Sequence, residues 1–341
     1  MSGMARNEVT IDLGALRRNV KHLVELASGS ELWAVVKANA YGHGAADCGD
    51  TALGAGASAL CVATVSEGLA LRRELPEPRI IVLGPSSNRE VAQSRDARLE
   101  LVVSSDIPSD IPVHLKLDTG MGRWGMSELV RPDLDVVGLM THFATADDDL
   151  DFARIQLGRF LEATADYTHL TRHAANSAAL LRIPEARLDA VRCGIAIYGL
   201  SPFQTDAADD GLEPVLSWHS EVSLVKQLQP GESTGYGRRF IAAEPTWIGI
   251  VPVGYADGFR RGLTGTTVLV DGEPARVVGT VSMDAFAVEL DGPTAVGTRV
   301  TLVGSGVPLE AHARHAGTIN YELATQIETG SERARRTLYY S

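Results

Sequence analysis

Lys37 ends an apolar run in the segment AVVKANAYGHG, residues 34–44. An amine desolvated at the end of a β-strand loses proton affinity and can condense with an aldehyde as a Schiff base. Read alone, Lys37 is as simply a side chain snorkelling to solvent. Tyr41, Gly42, His43 and Gly44 follow as a tight turn, suited to a ligand or merely a loop. In DTGMGRWGM, residues 118–126, glycines let the backbone approach a ligand and Arg123 can grip a carboxylate or phosphate. Lys116, in HLKLD, would need a partner charge if it pointed inward, with Asp118 or a neighbouring carboxylate as the expected source. His142, in THFATAD, could stack on a ring or relay a proton, or sit idle on a rim.

Asn176 and Ser177, in ANSA, are helix-capping types, and a helix start after a strand also suits a phosphate. VRCGIAIYG, residues 191–199, offers the backbone N–H groups of Gly194 and Ile195, with Arg192 directed inward. Tyr255 lies on a glycine-flanked turn in VPVGYADGFRR, where a surface tyrosine is the plain reading. Met283 lies in SMDAF, a polar break that is ordinarily just a turn.

These residues need a scaffold, and the hydrophobic pattern supplies one. Short β-rich runs fall at 32–37, 58–63, 79–83, 99–103, 113–117, 135–141, 168–173 and 188–193. Amphipathic stretches at 13–27, 45–57, 65–75 and 152–167 alternate with them. Eight strand signals alternating with helical ones predict a TIM-like (β/α)8 barrel, whose active sites lie at the C-terminal ends of the strands. The segments quoted above follow strands 1, 5, 6, 7 and 8. Between 103 and 113 only SSDIPSDIP is available, too short for the dozen or more residues of a helical crossover, so the fourth barrel helix is expected to be missing. After Gly199 the polar connector SPFQTDAADDGLEP leads to β-rich runs at 216–228, 246–253, 267–270, 276–280, 285–290 and 299–303. The predicted class is α/β plus all-β, with a barrel domain at 1–210 and a C-terminal β domain at 211–341. The first few residues are free to join the C-terminal sheet, and helical patterns at 311–315 and 321–327 close the chain.

A chain of 341 residues with 45% hydrophobic and 22% charged residues has a globular composition. A net charge of -12 argues against nucleic acid or a membrane surface as partner. Cys48, Cys61 and Cys193 make no CxxC pair and no metal-like spacing, which suits a reducing compartment and no metal. The first twenty residues lack the apolar segment of a secretory signal, and no run is long enough to span a membrane, so the expected location is the cytoplasm.

Together the segments AVVKANAYGHG, HLKLDTGMGR, THFATAD, ANSAA, VRCGIAIYGLSP, VPVGYADG, VSMD and INYE resemble the alanine racemases, in that family's order and across both domains. The resemblance implies an isomerase that interconverts L- and D-alanine with pyridoxal 5'-phosphate (PLP), supplying D-alanine for peptidoglycan. It implies PLP on Lys37, with phosphate contacts from Tyr41, Ser177, Gly194, Ile195 and Tyr321. His142 would contact the cofactor ring and Arg192 its pyridine nitrogen. Arg123 and the Met283 N–H would hold the substrate carboxylate.

Lys37 and Tyr255 would be the two bases, serving the D- and L-enantiomers respectively. Tyr255 would come from the partner subunit of a homodimer with shared sites. A guanidinium at the ring nitrogen cannot protonate it, which weakens the electron sink and limits transamination. Thr280 stands where the family often has an arginine along the substrate's approach, and the lysine matching Lys116 is carbamylated in some relatives. A PLP decarboxylase is a rival without its glycine-rich loop and cysteine motif here. A racemase of serine or another small amino acid is a nearer alternative, although Tyr321 should keep the pocket small. A non-catalytic PLP-binding barrel would lack the β domain.

Overall fold

The computed structural model describes residues 6–130, 132, 135–330 and 332–341; the first five residues of the N-terminal segment therefore lie outside it. The chain forms two compact units, one spanning Ala15–Glu213 and the other combining the N-terminal strand with Pro214–Ser341.

In chain order the strands begin with β1 (Glu8–Asp12), which belongs to the C-terminal unit. The barrel follows as β2 (Glu31–Val35), β3 (Ala59–Val62), β4 (Arg79–Val82), β5 (Glu100–Val103), β6 (Val113–Lys116), β7 (Val136–Met140), β8 (Thr171–His173) and β9 (Ala190–Cys193). All eight pair parallel and β9 returns to β2, closing the barrel. Each predicted run thus overlaps a strand. Because both faces of a barrel strand are covered, the sequence is apolar without alternation: every residue of ALCV in β3 is buried.

The helices are α1 (Leu13–Ala27), α2 (Lys37–Tyr41), α3 (Ala45–Gly54), α4 (Val65–Glu74), α5 (Asn88–Asp96), α6 (Leu150–Ala163) and α7 (Ser177–Arg182), with α8 (Leu309–Ala316) and α9 (Asn320–Gln326) in the C-terminal unit. In α1 the buried residues Leu13, Leu16, Val20 and Leu23 recur at helical spacing. Capping boxes start α4 (Thr64 with Glu67) and α5 (Ser87 with Glu90).

No helix joins β5 to β6, as SSDIPSDIP predicts. The next connection, 117–135, also carries no helix among its described residues, which the sequence reading did not anticipate. The glycine-rich segment after β6 spends its backbone on a local loop instead: Met126 N–H donates to the Lys116 carbonyl at 2.7 Å and Asp118 N–H to the Met126 carbonyl at 2.9 Å.

In the C-terminal unit the strands are β10 (Leu216–Glu221), β11 (Leu224–Leu228), β12 (Ser233–Thr234), β13 (Phe240–Ile241), β14 (Thr246–Val251), β15 (Thr267–Val270), β16 (Glu273–Val278), β17 (Phe286–Leu290), β18 (Arg299–Val303) and β19 (Arg335–Tyr339). The single run expected at 216–228 is two strands. Nine strands make one sheet in the order β11-β14-β17-β16-β15-β18-β10-β1-β19, so the N-terminal strand does join it. The strict alternation of burial along LSWHSE in β10 is that of a sheet with one covered face.

Candidate active site

Lys37 follows β2 directly and is half-buried. Ala38, Asn39, Ala40 and Tyr41 then take φ of +50° to +56°, a left-handed turn made without glycine. Such a residue costs roughly 1–2 kcal/mol, and such strain persists only where the surroundings fix it, commonly at functional sites. Here Ala38 N–H donates to Glu67 Oε1 at 2.8 Å and Ala45 N–H donates to Asn39 Oδ1 at 3.0 Å. Burial, then the nearby Arg123 guanidinium, lowers the proton affinity of Lys37, the direction an amine nucleophile or base needs at neutral pH.

Tyr41, Ser177, Gly194 and Ile195 form one cluster. Ser177 Oγ accepts the N–H of Gly194 at 3.1 Å and of Ala196 at 3.4 Å. A Cβ on residue 194 would collide with the Tyr41 hydroxyl, so glycine is required for that approach. The Ile195 N–H is buried and has no acceptor among the described residues. Asn176 is a plain cap, its Oδ1 accepting the Ala179 N–H at 2.9 Å. Hydroxyls and an open amide without a carboxylate among them suit an anionic group such as a phosphate.

Arg192 is 3% exposed. Its Nη1 donates to His173 Nδ1 at 2.8 Å, and its Nη2 to the Thr141 carbonyl at 2.9 Å, the Ala174 carbonyl at 3.0 Å and His142 Nδ1 at 3.2 Å. Its Nε–H makes no hydrogen bond among the described residues and could donate to a ligand acceptor. Burial and then the Arg192 charge hold His142 well below the usual histidine range, so it is a neutral imidazole. Since arginine only donates, His142 Nδ1 accepts and its proton lies on Nε2.

The expected partner of Lys116 is absent. Asp118 Oδ1 and Oδ2 accept the loop N–H groups of Gly120, Met121 and Gly122 at 2.9–3.1 Å, and no carboxylate lies within ion-pairing distance of Lys116 among the described residues. Instead Lys116 Nζ and the Arg123 guanidinium both lie over the Trp124 ring, at 5.5 and 5.2 Å from its centroid. Burial first, then Arg123 and Arg192, lower Lys116 to about 8. The barrel unit therefore gathers Lys37, Lys116, Arg123 and Arg192, a field that favours anionic ligands.

The remaining predicted residues belong to the C-terminal unit. Tyr255 opens a turn whose Gly254 packs so closely on the Ser282 and Met283 carbonyls that any Cβ would collide. Tyr255 N–H donates to the Ser282 carbonyl and Ala256 N–H to the Met283 carbonyl, each at 3.1 Å. The Met283 N–H is left with no acceptor among the described residues. Gly258 of the same turn packs on Gln326 and Ile327, at the end of the helix that carries Tyr321.

Tyr236 is a second exposed phenol of the same unit. It sits between Gly235 and Gly237, both with positive φ, and is 72% exposed against 45% for Tyr255. Tyr236 lines a cavity of about 340 Å³ with Thr280, Ser282 and Phe286. Thr280 does not stand in for an arginine: it is buried, its hydroxyl donating to the Tyr236 carbonyl at 2.9 Å.

Comparison with known proteins covers the whole described architecture. The family model for the alanine racemase N-terminal domain matches residues 11–202, and that for the alanine racemase C-terminal domain residues 215–337. The chain is 42% identical to the alanine racemase of Geobacillus stearothermophilus, covering 93% of this chain and 90% of that one. It is 40% identical to alanine racemase 1 of Bacillus subtilis, with 94% and 90% covered. The solved structure of the biosynthetic alanine racemase of Pseudomonas aeruginosa matches with a TM-score of 0.90 at 36% identity, covering 99% of this chain and 100% of that one.

Proposed function

The chain belongs to the alanine racemase family, and on that premise we propose that it interconverts L- and D-alanine with pyridoxal 5'-phosphate, supplying D-alanine for peptidoglycan. The observation that carries the proposal is the grouping of a half-buried Lys37 of lowered proton affinity with the Tyr41–Ser177–Gly194–Ile195 cradle and the open Nε–H of Arg192. These residues fit the cofactor: amine for its aldehyde, hydroxyls and amides for its phosphate, a guanidinium for its ring nitrogen. When bound, the cofactor supplies the electron sink that makes the α-proton of alanine removable.

The protein's own part is to hold the substrate and move protons. Arg123 and the Met283 N–H bind the substrate carboxylate, while His142 packs against the cofactor ring and Tyr321 adds a hydroxyl to its phosphate. Racemisation needs a proton taken at one face of Cα and returned at the other, so two bases are the direct solution. Lys37 is one. For the other face the family motif nominates Tyr255. Tyr255 opens the glycine-flanked turn that packs on Ser282 and Met283 and is 45% exposed, so its phenol is open to a second chain.

We assign the protein to a homodimer in which the phenol comes from the second copy. The exposure of Tyr236, Tyr255 and Met283, at 72%, 45% and 52%, supports a surface that another chain completes. A cytoplasmic location is supported by three buried cysteines that form no disulfide among the described residues; no helix among those residues is long and apolar enough to cross a membrane. The test is incubation with L-alanine in D₂O. Deuterium at Cα together with decay of optical rotation is expected; rotation unchanged in the presence of PLP would overturn the proposal.

A further inference from the structure

A hydrogen-bonded chain crosses the barrel interior and ends on Arg192. Glu100 on β5 receives a bidentate contact from Arg79, Nε to Oε1 at 2.8 Å and Nη2 to Oε2 at 3.0 Å. Its Oε2 also lies 2.9 Å from His114 Nε2. His114 Nδ1 lies 3.0 Å from His173 Nε2, and His173 Nδ1 lies 2.8 Å from Arg192 Nη1. His114 and His173 are both fully buried, and the Trp33 ring packs against each, at centroid distances of 5.6 and 4.6 Å.

The ends of this chain fix every proton in it. Arginine only donates, so His173 Nδ1 accepts; a neutral His173 then carries its proton on Nε2 and donates to His114 Nδ1. His114 in turn carries its proton on Nε2 and donates to the carboxylate. Burial lowers the proton affinity of both rings, so both are neutral at pH 7. Burial alone would raise Glu100, but hydrogen bonds from His114 and Arg79 bring it down to about 2, so it is ionised.

Arg192 needs such a counter-charge. A cation this deeply buried is costly unless compensated, and no carboxylate is within ion-pairing distance of it among the described residues. The buried thiols of Cys61 and Cys193 beside it are pushed up to about 12 and stay neutral. Glu31, 3.3 Å from Arg79, helps to balance the second guanidinium, so two cations face two carboxylates along the chain.

We propose that Glu100 is the remote counter-charge of Arg192, joined to it through His114 and His173, and that these three positioning residues orient the guanidinium and keep it a donor. The effect on catalysis rests on the reading of Arg192 as the partner of the cofactor's ring nitrogen; the order of protons does not.

The two parts are separable by experiment. In cofactor-free wild-type protein labelled with ¹⁵N-histidine, imidazole nitrogen shifts at pH 7 should report His114 and His173 as neutral with the proton on Nε2, signals assigned by His114→Gln and His173→Asn. A proton on Nδ1 of His173, or either ring doubly protonated, would overturn the proposal whether or not the protein is a racemase. In the PLP-loaded enzyme, Glu100→Gln should lower kcat about 10- to 100-fold, the usual loss when a supporting partner is removed. KM should stay within about twofold, and Glu100→Asp should recover part of the loss. Full kcat in Glu100→Gln with a disturbed His173 signal would overturn the positioning role. Should Glu100→Gln fail to fold, the wild-type nitrogen shifts still decide. A wild-type protein with the expected tautomers but no racemisation would refute the functional reading alone.

Discussion

Glu67 Oε1 accepts the backbone N–H of Ala38 at 2.8 Å, so a residue in the first turn of α4 holds the first left-handed residue after Lys37. Its Oε2 accepts the N–H groups of Ala63 and Thr64, at 2.7 and 3.1 Å. One carboxylate thereby caps a helix and braces the strained turn that presents the lysine. Glu67→Ala should cost about 2 kcal/mol, the loss expected for hydrogen bonds to a charged acceptor, measured by urea unfolding. It should also slow PLP attachment. Unchanged stability would show that the turn holds without the brace.

Lys37 should carry the cofactor. Purified protein should absorb visible light, and borohydride followed by peptide mapping should find the label on Lys37. Lys37→Ala should lose at least about 10²-fold in racemisation, the contribution of one general base. A label elsewhere would refute the assignment.

The two tyrosines give opposite outcomes. Tyr255→Phe should lower kcat for L-alanine by about 10²- to 10⁴-fold, while Tyr236→Phe should change it far less; the reverse result would refute Tyr255 as the base. Heterodimers of Lys37→Ala with the inactive tyrosine variant should regain one working site if the residues come from different chains. Heterodimers that form and stay inactive would exclude the shared site.

Gly194→Ala places a methyl group against the Tyr41 hydroxyl. PLP affinity should fall at least about tenfold, or 1.4 kcal/mol, with an unchanged circular dichroism spectrum. Wild-type affinity would mean that the cradle is not the phosphate site.

Lys116 has a measurable consequence in pH. Its proton affinity is lowered to about 8 against an ordinary 10.5, so the unfolded chain binds more protons between those values and stability should rise with pH across that window. Lys116→Met should therefore raise the melting temperature at pH 7 and lose that advantage by about pH 10.5. This comparison is made in CO₂-free buffer, because the neutral amine can add CO₂. With ¹³C-bicarbonate a carbamate carbon signal, absent in Lys116→Met, would identify that modification.

Much of this protein is legible in its sequence. Barrel strands buried on both faces must be uninterrupted apolar runs, so ALCV and its counterparts marked themselves. SSDIPSDIP was too short to hold a crossover helix. The motif residues around Lys37, Ser177 and Arg192 each follow their own strand, and the barrel rule alone sends them to one end.

Tertiary structure decided whatever depends on which side chains meet. No local rule predicts four left-handed residues without glycine after Lys37; they are held by Glu67 reaching from α4 together with the Asn39 contact to Ala45. Asp118 is two residues from Lys116, yet its carboxylate turns to the N–H groups of its own loop, so proximity in sequence misassigned the pair. Tyr236 and Tyr255 both lie on glycine-flanked turns, and the packing of the Tyr255 turn on Ser282 and Met283 distinguishes the two. Glu100, His114, His173 and Arg192 come from four different strands; alternation can direct each inward, but only closure of the barrel joins them into one hydrogen-bonded chain.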